Sequence, residues 1–310
     1  MLNNLTLFAT TRCGLKCAHC LRGYPTSHDD FPLDLLPNLL DEGRLFGAQH
    51  VGLTGGEPCL HPQFERLTDI ILEADFKLSF ISNRQDVKPY LAVFERYPGQ
   101  VTSVALSLDD ADPAGHDRNR GKPGAFDAVI ASARALISAG CRVYFKARAH
   151  SREKVEAVLR LAKEVGDFRI QFGGIIPAEW NREMVLKDDE ALALVEFIND
   201  LKSKEGPEIR TSNSLYAGSG IRGCDVFDFR TLNFSARGEM VFCCDINEEG
   251  TAAVLGRLGE QPLAELIGRW LRTSADLQTE RTRRIASGEM GEGFDTCAFC
   301  NQYFRQDQPV

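Results

Sequence analysis

Three cysteines within eight residues, Cys13-Gly14-Leu15-Lys16-Cys17-Ala18-His19-Cys20, constrain this chain more than any other stretch. Their spacing is C-x3-C-x2-C, just after the apolar run 5–8. Three thiolates on one short loop can hold three irons of a [4Fe–4S] cluster, and four protein thiolates normally complete such a cluster. The local motif therefore leaves one iron open to a substrate or cofactor. Zinc usually takes two ligands from each of two knuckles. The spacing thus favours iron–sulfur over a zinc site or unrelated buried cysteines.

A second motif, Gly55-Gly56-Glu57-Pro58, follows the apolar run 51–53. With both motifs the chain resembles the radical SAM enzymes, which carry this three-cysteine spacing and a GGEP after the second strand. The resemblance implies that Cys13, Cys17 and Cys20 hold a [4Fe–4S] cluster whose open iron chelates S-adenosylmethionine. Gly55, Gly56 and Glu57 would face the methionine amino group. One electron then cleaves SAM to a 5′-deoxyadenosyl radical that removes hydrogen from an unactivated C–H bond. The electron would come from an external donor such as a flavodoxin or ferredoxin. His19 stands where many members carry an aromatic residue.

At 310 residues the chain can bury one large core with room for a small appendage. No run of 18 apolar residues predicts a membrane span. No basic, apolar leader precedes Cys13, so a cytoplasmic location is expected. Ten cysteines without a signal then argue for metal binding rather than disulfides. The net charge of −8 disfavours nucleic acid and would suit a cationic substrate.

Strands are predicted at 5–11, 51–54, 77–82, 101–108, 142–149 and 168–172. Helices are predicted at 31–46, 62–73, 87–96 and 125–138, and from a Ser151 cap to 165. The alternation implies an α/β fold with a parallel sheet and right-handed crossovers. The resemblance makes it a partial (β/α)6 barrel, a fold that places chemistry at the C-terminal strand ends. Further likenesses lie on that rim: Ile81-Ser82-Asn83, Ser107-Leu108-Asp109 with His116-Asp117 and Arg120-Gly121, and Ile175-Ile176-Pro177. They imply SAM contacts from Asn83 and Ile175, and a SAM-carboxylate role for Ser107 and Arg148. Arg148 shares its strand face with Tyr144 and Lys146.

The expected organisation is a radical SAM barrel over 1–186, a connecting helix and loop over 187–223, and a smaller domain over 224–310. In the last segment a hairpin is predicted around Gly238, with Cys224 and Cys243 near its ends, and Cys297-Ala298-Phe299-Cys300 supplies a C-x2-C knuckle. Spacing alone leaves zinc and iron–sulfur open for such a four-thiolate site. The segment also resembles the twitch form of the SPASM extension, through Cys224, Gly238 and Cys243, Gly256-Arg257-Leu258 and a helix over 263–270. That resemblance implies one auxiliary [4Fe–4S] cluster on Cys224, Cys243, Cys297 and Cys300.

Cys59, Cys141 and Cys244 are left over. Cys141 reads as a buried small hydrophobe, and Cys59 follows GGEP on the active rim. Strand alternation would point Cys244 away from its neighbour Cys243. A thiol opposite the abstracted hydrogen makes an epimerase, so Cys244 is the expected catalytic donor. The likeness to small twitch enzymes of aminoglycoside biosynthesis implies an epimerase of the neomycin C to B kind, acting on a cationic sugar. Its rivals are a twitch dehydrogenase of aminocyclitols and a peptide maturase or epimerase. The last is expected to carry a recognition domain ahead of its first cysteine motif, where twelve residues stand here. An iron–sulfur electron carrier needs neither GGEP nor an open iron.

Overall fold

The computed structural model describes residues 2–24, 28–83, 86–166, 169–176, 178, 180–212, 215, 224, 226–246, 253–289 and 296–306. The chain begins with β1 (Asn4–Thr10), then α1 (Leu36–Leu45), β2 (His50–Gly55), α2 (Phe64–Glu73), β3 (Lys77–Ser82), α3 (Lys88–Arg96) and β4 (Val101–Ser107). There follow α4 (Pro113–Arg120), α5 (Ala125–Ser138), β5 (Val143–Arg148), α6 (Arg152–Val165), β6 (Ile170–Gly173), α7 (Asp188–Glu205) and β7 (Ile209–Thr211). The last part holds β8 (Thr231–Phe234), β9 (Glu239–Val241), β10 (Val254–Arg257), α8 (Leu263–Ala286) and α9 (Thr296–Gln306).

All ten strands form one sheet in the order β10-β9-β8-β1-β2-β3-β4-β5-β6-β7. From β1 to β7 every neighbour is parallel, with helices on the connections. The sheet is open, with β10 and β7 at its two ends. This is the α/β architecture expected from the alternation, a partial barrel rather than a closed one. The helices bury apolar stripes against the outer face; α2 buries Phe64, Leu67, Ile71 and Leu72. Each such side chain contributes about 1.5–3 kcal/mol. Ser151 caps α6, its hydroxyl accepting from the Lys154 N–H at 3.3 Å.

The structure adds elements that periodicity did not reveal. Three-residue β7 carries the exposed Arg210 and pairs with β6. It lies inside the stretch expected to be only a connecting helix and loop. Helix α4 carries almost no apolar stripe, but Asp112 caps it by accepting from the Gly115 N–H at 2.8 Å. Strand β8 pairs parallel with β1, and β9 returns antiparallel beside it, giving the expected hairpin around Gly238. The segments 1–186, 187–223 and 224–310 thus share one sheet. Arg84, Phe168, Pro177 and most of the 211–223 loop lie outside the described residues.

Candidate functional site

Where β1 ends, its neighbour β2 ends beside it, and the two motifs meet. The Gly56 N–H donates to Thr10 O at 2.8 Å and the Glu57 N–H to Arg12 O at 2.7 Å. A Cβ on Gly55 would lie 2.4 Å from Thr10 O, and one on Gly56 2.2 Å from Arg12 O. Only paired glycines let the strand end approach the cysteine loop so closely. The far side of the loop rests on α4. The Ala18 N–H donates to Asn119 O at 3.0 Å, and a Cβ on Gly121, in left-handed conformation at φ 65°, would meet Lys16 O at 2.2 Å.

Cys13, Cys17 and Cys20 all line one cavity of about 1250 Å³. Asn83 Nδ2 donates to Cys13 Sγ at 3.5 Å, and Arg120 Nη1 to Cys17 Sγ at 3.7 Å. Burial pushes the Cys13 and Cys17 thiols up, while Arg120 pulls Cys17 back toward thiolate. Three thiols on one loop, facing one cavity and met by donors, suit a [4Fe–4S] cluster with an open iron. Gly55, Gly56, Asn83, Ser107, Arg148 and Ile175 line the same cavity. The structure therefore brings together all but one of the residues expected at the SAM site.

The exception is the Glu57 side chain. It is 1% exposed and is not part of the cavity lining. Its carboxylate accepts from Ser82 Oγ at 3.1 Å, from the Asn83 N–H at 2.9 Å, from Cys59 Sγ at 3.3 Å and from Tyr90 Oη. Burial raises the Glu57 pKa, opposed by these donors. Glu57 thus fastens β2 to the end of β3 and sets Asn83, which in turn reaches Cys13. Tyr90, on α3, is a partner that no sequence motif marked.

Asp109, just past β4, is the electrostatic hub. Its carboxylate lies 2.8 Å from Arg120 Nε, 3.3 Å from Arg148 Nε and 3.8 Å from His19 Nε2. The two guanidinium groups hold its pKa far below the ordinary carboxylate value despite complete burial. Burial pushes Arg148 down to about 10, with Asp109 opposing. Asp109 fixes Arg148 from behind and leaves its remaining N–H groups for an anion in the cavity.

The second cysteine set departs from expectation in two ways. Cys297 and Cys300 sit within the first five residues of α9 and not on a knuckle loop. Strand β9 stops at Val241, and Cys244 begins a short 3-10 turn over Cys244–Ile246. Strand alternation therefore does not apply, and Cys244 does not point away from Cys243. The two thiols and an Asp245 oxygen lie within 4.8 Å of one another. The side-chain hydrogen bond between Cys243 and Cys244, and then burial, push the Cys243 thiol well up, with Asp245 and Cys297 adding to the effect. Cys224 is half-buried before the turn that carries Phe227 and Phe229. Cys244 and Asp245 line the large cavity, and Cys224, Cys243, Cys297 and Cys300 do not. Arg22 spans the gap: Nη2 donates to Cys244 O at 2.5 Å, and the guanidinium lies 3.8 Å from the Phe8 ring centre. Cys59, the other spare thiol, donates to Glu57 and does not line the cavity, and Cys141 is buried.

Residues 7–149 match the radical SAM superfamily. The chain carries a radical SAM core. It is 29% identical over 162 residues to an AdoMet-dependent heme synthase of Methanosarcina barkeri, covering 51% of this chain and 46% of the relative. It is 24% identical over 191 residues to the PqqA peptide cyclase of Gluconobacter oxydans, covering 59% and 53%. The radical SAM core thus spans about half the length of these curated relatives. The structure of Streptococcus suis SuiB bound to precursor peptide SuiA superposes with a TM-score of 0.70 at 16% identity, covering 86% of this chain and 64% of SuiB. That likeness is one of fold. Membership of the superfamily implies SAM and a [4Fe–4S] cluster, which the Cys13, Cys17 and Cys20 loop fits. Among the described residues no helix is long and apolar enough to cross a membrane.

Proposed function

We propose that this radical SAM enzyme modifies a peptide, removing one hydrogen from it and returning another from the Cys244 thiol. The observation that carries the proposal is that one cavity is lined both by the three-cysteine loop and by Cys244. SAM and the first cluster, when bound, supply hydrogen-atom abstraction. Gly55 and Gly56 bring the β2 end against the loop, Ser107 and Arg148 offer donors to the SAM carboxylate, and Ile175 closes the side. Cys244 then donates hydrogen: its S–H bond breaks, a C–H bond forms on the substrate carbon, and the sulfur is left needing one electron and one proton. An external low-potential donor, a flavodoxin or ferredoxin, supplies the electron, and water supplies the proton. Cys224, Cys243, Cys297 and Cys300 would hold a second [4Fe–4S] cluster, and Cys243, next to Cys244, would give the electron a short route. Zinc on the same four thiols is the competing assignment.

The names of the PqqA peptide cyclase and of peptide-bound SuiB support a peptide substrate. The aminoglycoside epimerase rests on the same thiol but has no counterpart among the relatives named above. The dehydrogenase has no use for Cys244. No nucleic acid or membrane partner enters this reading.

The test is the reduced, cluster-loaded protein with SAM and candidate peptides in D2O. Expected are 5′-deoxyadenosine and a peptide with one solvent deuteron on an inverted carbon. Unlabelled product, or label that persists in Cys244→Ala, removes the donor role; a ketone product in place of inversion points to the dehydrogenase.

A further inference from the structure

The chain carries a net charge of −8, but its cavity carries the opposite sign. Among the described lining residues seven Lys and Arg side chains face three carboxylates. Two of those carboxylates are already paired: Asp29 with Arg237 at 2.9 Å, and Glu239 with Arg257 at 3.0 Å. At the ends of β4, β5 and β6 the cavity continues into a recess of about 270 Å³. Three cations, Arg120, Lys146 and Arg148, line it against the single carboxylate of Asp109.

Asp109 engages both arginines, and the Lys146 ammonium has no hydrogen-bond or ion-pair partner among the described residues. Its position is built by register. Ser107 of β4 stands beside Lys146 of β5, which stands beside Gln171 of β6. Adjacent strands lie about 4.8 Å apart, so the three side chains make a row across one face. An ammonium beside the Gln171 carboxamide, in a recess that shares its lining with the cavity, is a receptor for a carboxylate.

We propose that Lys146 and Gln171 form a substrate subsite that binds a carboxylate of the substrate, leaving Ser107 and Arg148 to SAM. The inference rests on the peptide reading above and gives its substrate class: a peptide bearing a carboxylate near the carbon attacked, the reverse of a polycationic sugar. The lysine stands two residues before Arg148 on the same face of β5, so the bound substrate carboxylate lies beside the cofactor.

The probes are N-acetyl-Ala-Glu-Ala-amide, its Gln counterpart, N-acetyl-Ala-Lys-Ala-amide and free glutarate. Each is titrated calorimetrically into the SAM-saturated, cluster-loaded full chain. The Glu peptide is expected to bind about tenfold more tightly than the Gln peptide, the worth of one charge-assisted contact. Lys146→Met should erase that preference and Lys146→Arg should restore it, which separates loss of charge from loss of fold. A further peptide with its only carboxylate at the C-terminus decides whether a side chain or a chain end is read. Equal affinity for Glu and Gln peptides, preference for the Lys peptide, or no binding by any probe overturns the subsite. So does a loss of SAM affinity in Lys146→Met as large as the loss of peptide affinity, which makes the lysine a cofactor contact. Glutarate binding that depends on Lys146 while no peptide binds keeps the subsite and sinks the peptide reading.

Discussion

At the scale of single residues, the site depends on one buried carboxylate. Asp109 is 1% exposed and faces two guanidinium groups. Asp109→Asn leaves those cations uncompensated, and breaking a buried pair of this kind costs about 3–5 kcal/mol. Thermal unfolding should therefore shift strongly, and SAM affinity should fall with it because Arg148 loses its support. The Asp109 pKa is depressed from 3.8, so its contribution is present at neutral pH and is lost only under strongly acid conditions. His116 works in a milder range. Its Nδ1 accepts from the Asp109 N–H at 3.2 Å, and burial lowers its pKa from 6.5 to about 4. Between those values the unfolded chain takes up a proton that the folded chain refuses, so stability falls as pH falls through that window. Denaturant melts across it should show that slope, and His116→Gln should reduce it, the rest coming from His19, His50 and His150, which burial also lowers. The sequence marked His116 and Asp109 through their motif. It could not show that Asp109 turns inward to two arginines, because the partners come from α4 and β5.

At the scale of elements, what was legible followed periodicity. The β1 to β6 strands and the helices between them carry regular apolar stripes, and burial alone fixes them. Helix α4 was missed because its residues are nearly all polar; it forms on its Asp112 cap and Pro113. Strand β7 was missed because three residues are too few for a pattern. The side on which Cys244 lies was misjudged because alternation was carried past the end of β9, where the chain turns into a 3-10 helix. The α4 terminus has a role that the motif Arg120-Gly121 hinted at without explaining. Its left-handed Gly121 lets the cysteine loop rest against the helix end. Gly121→Ala puts a Cβ into Lys16 O and adds about 1 kcal/mol of left-handed strain. The expected result is a loop displaced from α4, read as reduced iron uptake on reconstitution with a small shift in melting. Full iron occupancy in that variant would mean that the loop does not need this contact.

At the scale of the molecule, the sign of the cavity was beyond the reach of composition. Acidic residues dominate the chain while Lys and Arg gather on the concave face, an arrangement that exists only once strands from distant parts of the sequence stand side by side. The same is true of the two cysteine sets. Over two hundred residues apart in sequence, the first set and Cys244, the neighbour of Cys243, reach one cavity because β8 adds to the edge of β1 and carries β9 with it. Yet each set has its own support. The first hangs on β2 and α4. The second rests on an aromatic cluster in which Phe242 stacks on Trp270 at 5.7 Å and packs on Phe304 of α9 at 5.4 Å. Separate supports make separate metal occupancy the expected outcome. Reconstitution should give about eight irons per chain, four for each cluster. Changing Cys13, Cys17 and Cys20 together to Ala should leave about four irons and no SAM cleavage. Changing Cys243 and Cys297 to Ala should also leave about four, now with SAM cleavage retained, because the first loop keeps its own contacts. Iron and sulfide assays with electron paramagnetic resonance read both variants. Four irons plus one zinc in the parent chain would reassign the second site to zinc. Loss of all iron in either variant would show instead that Arg22, reaching from the first loop to the Cys244 carbonyl, ties the two sites into a single folding unit.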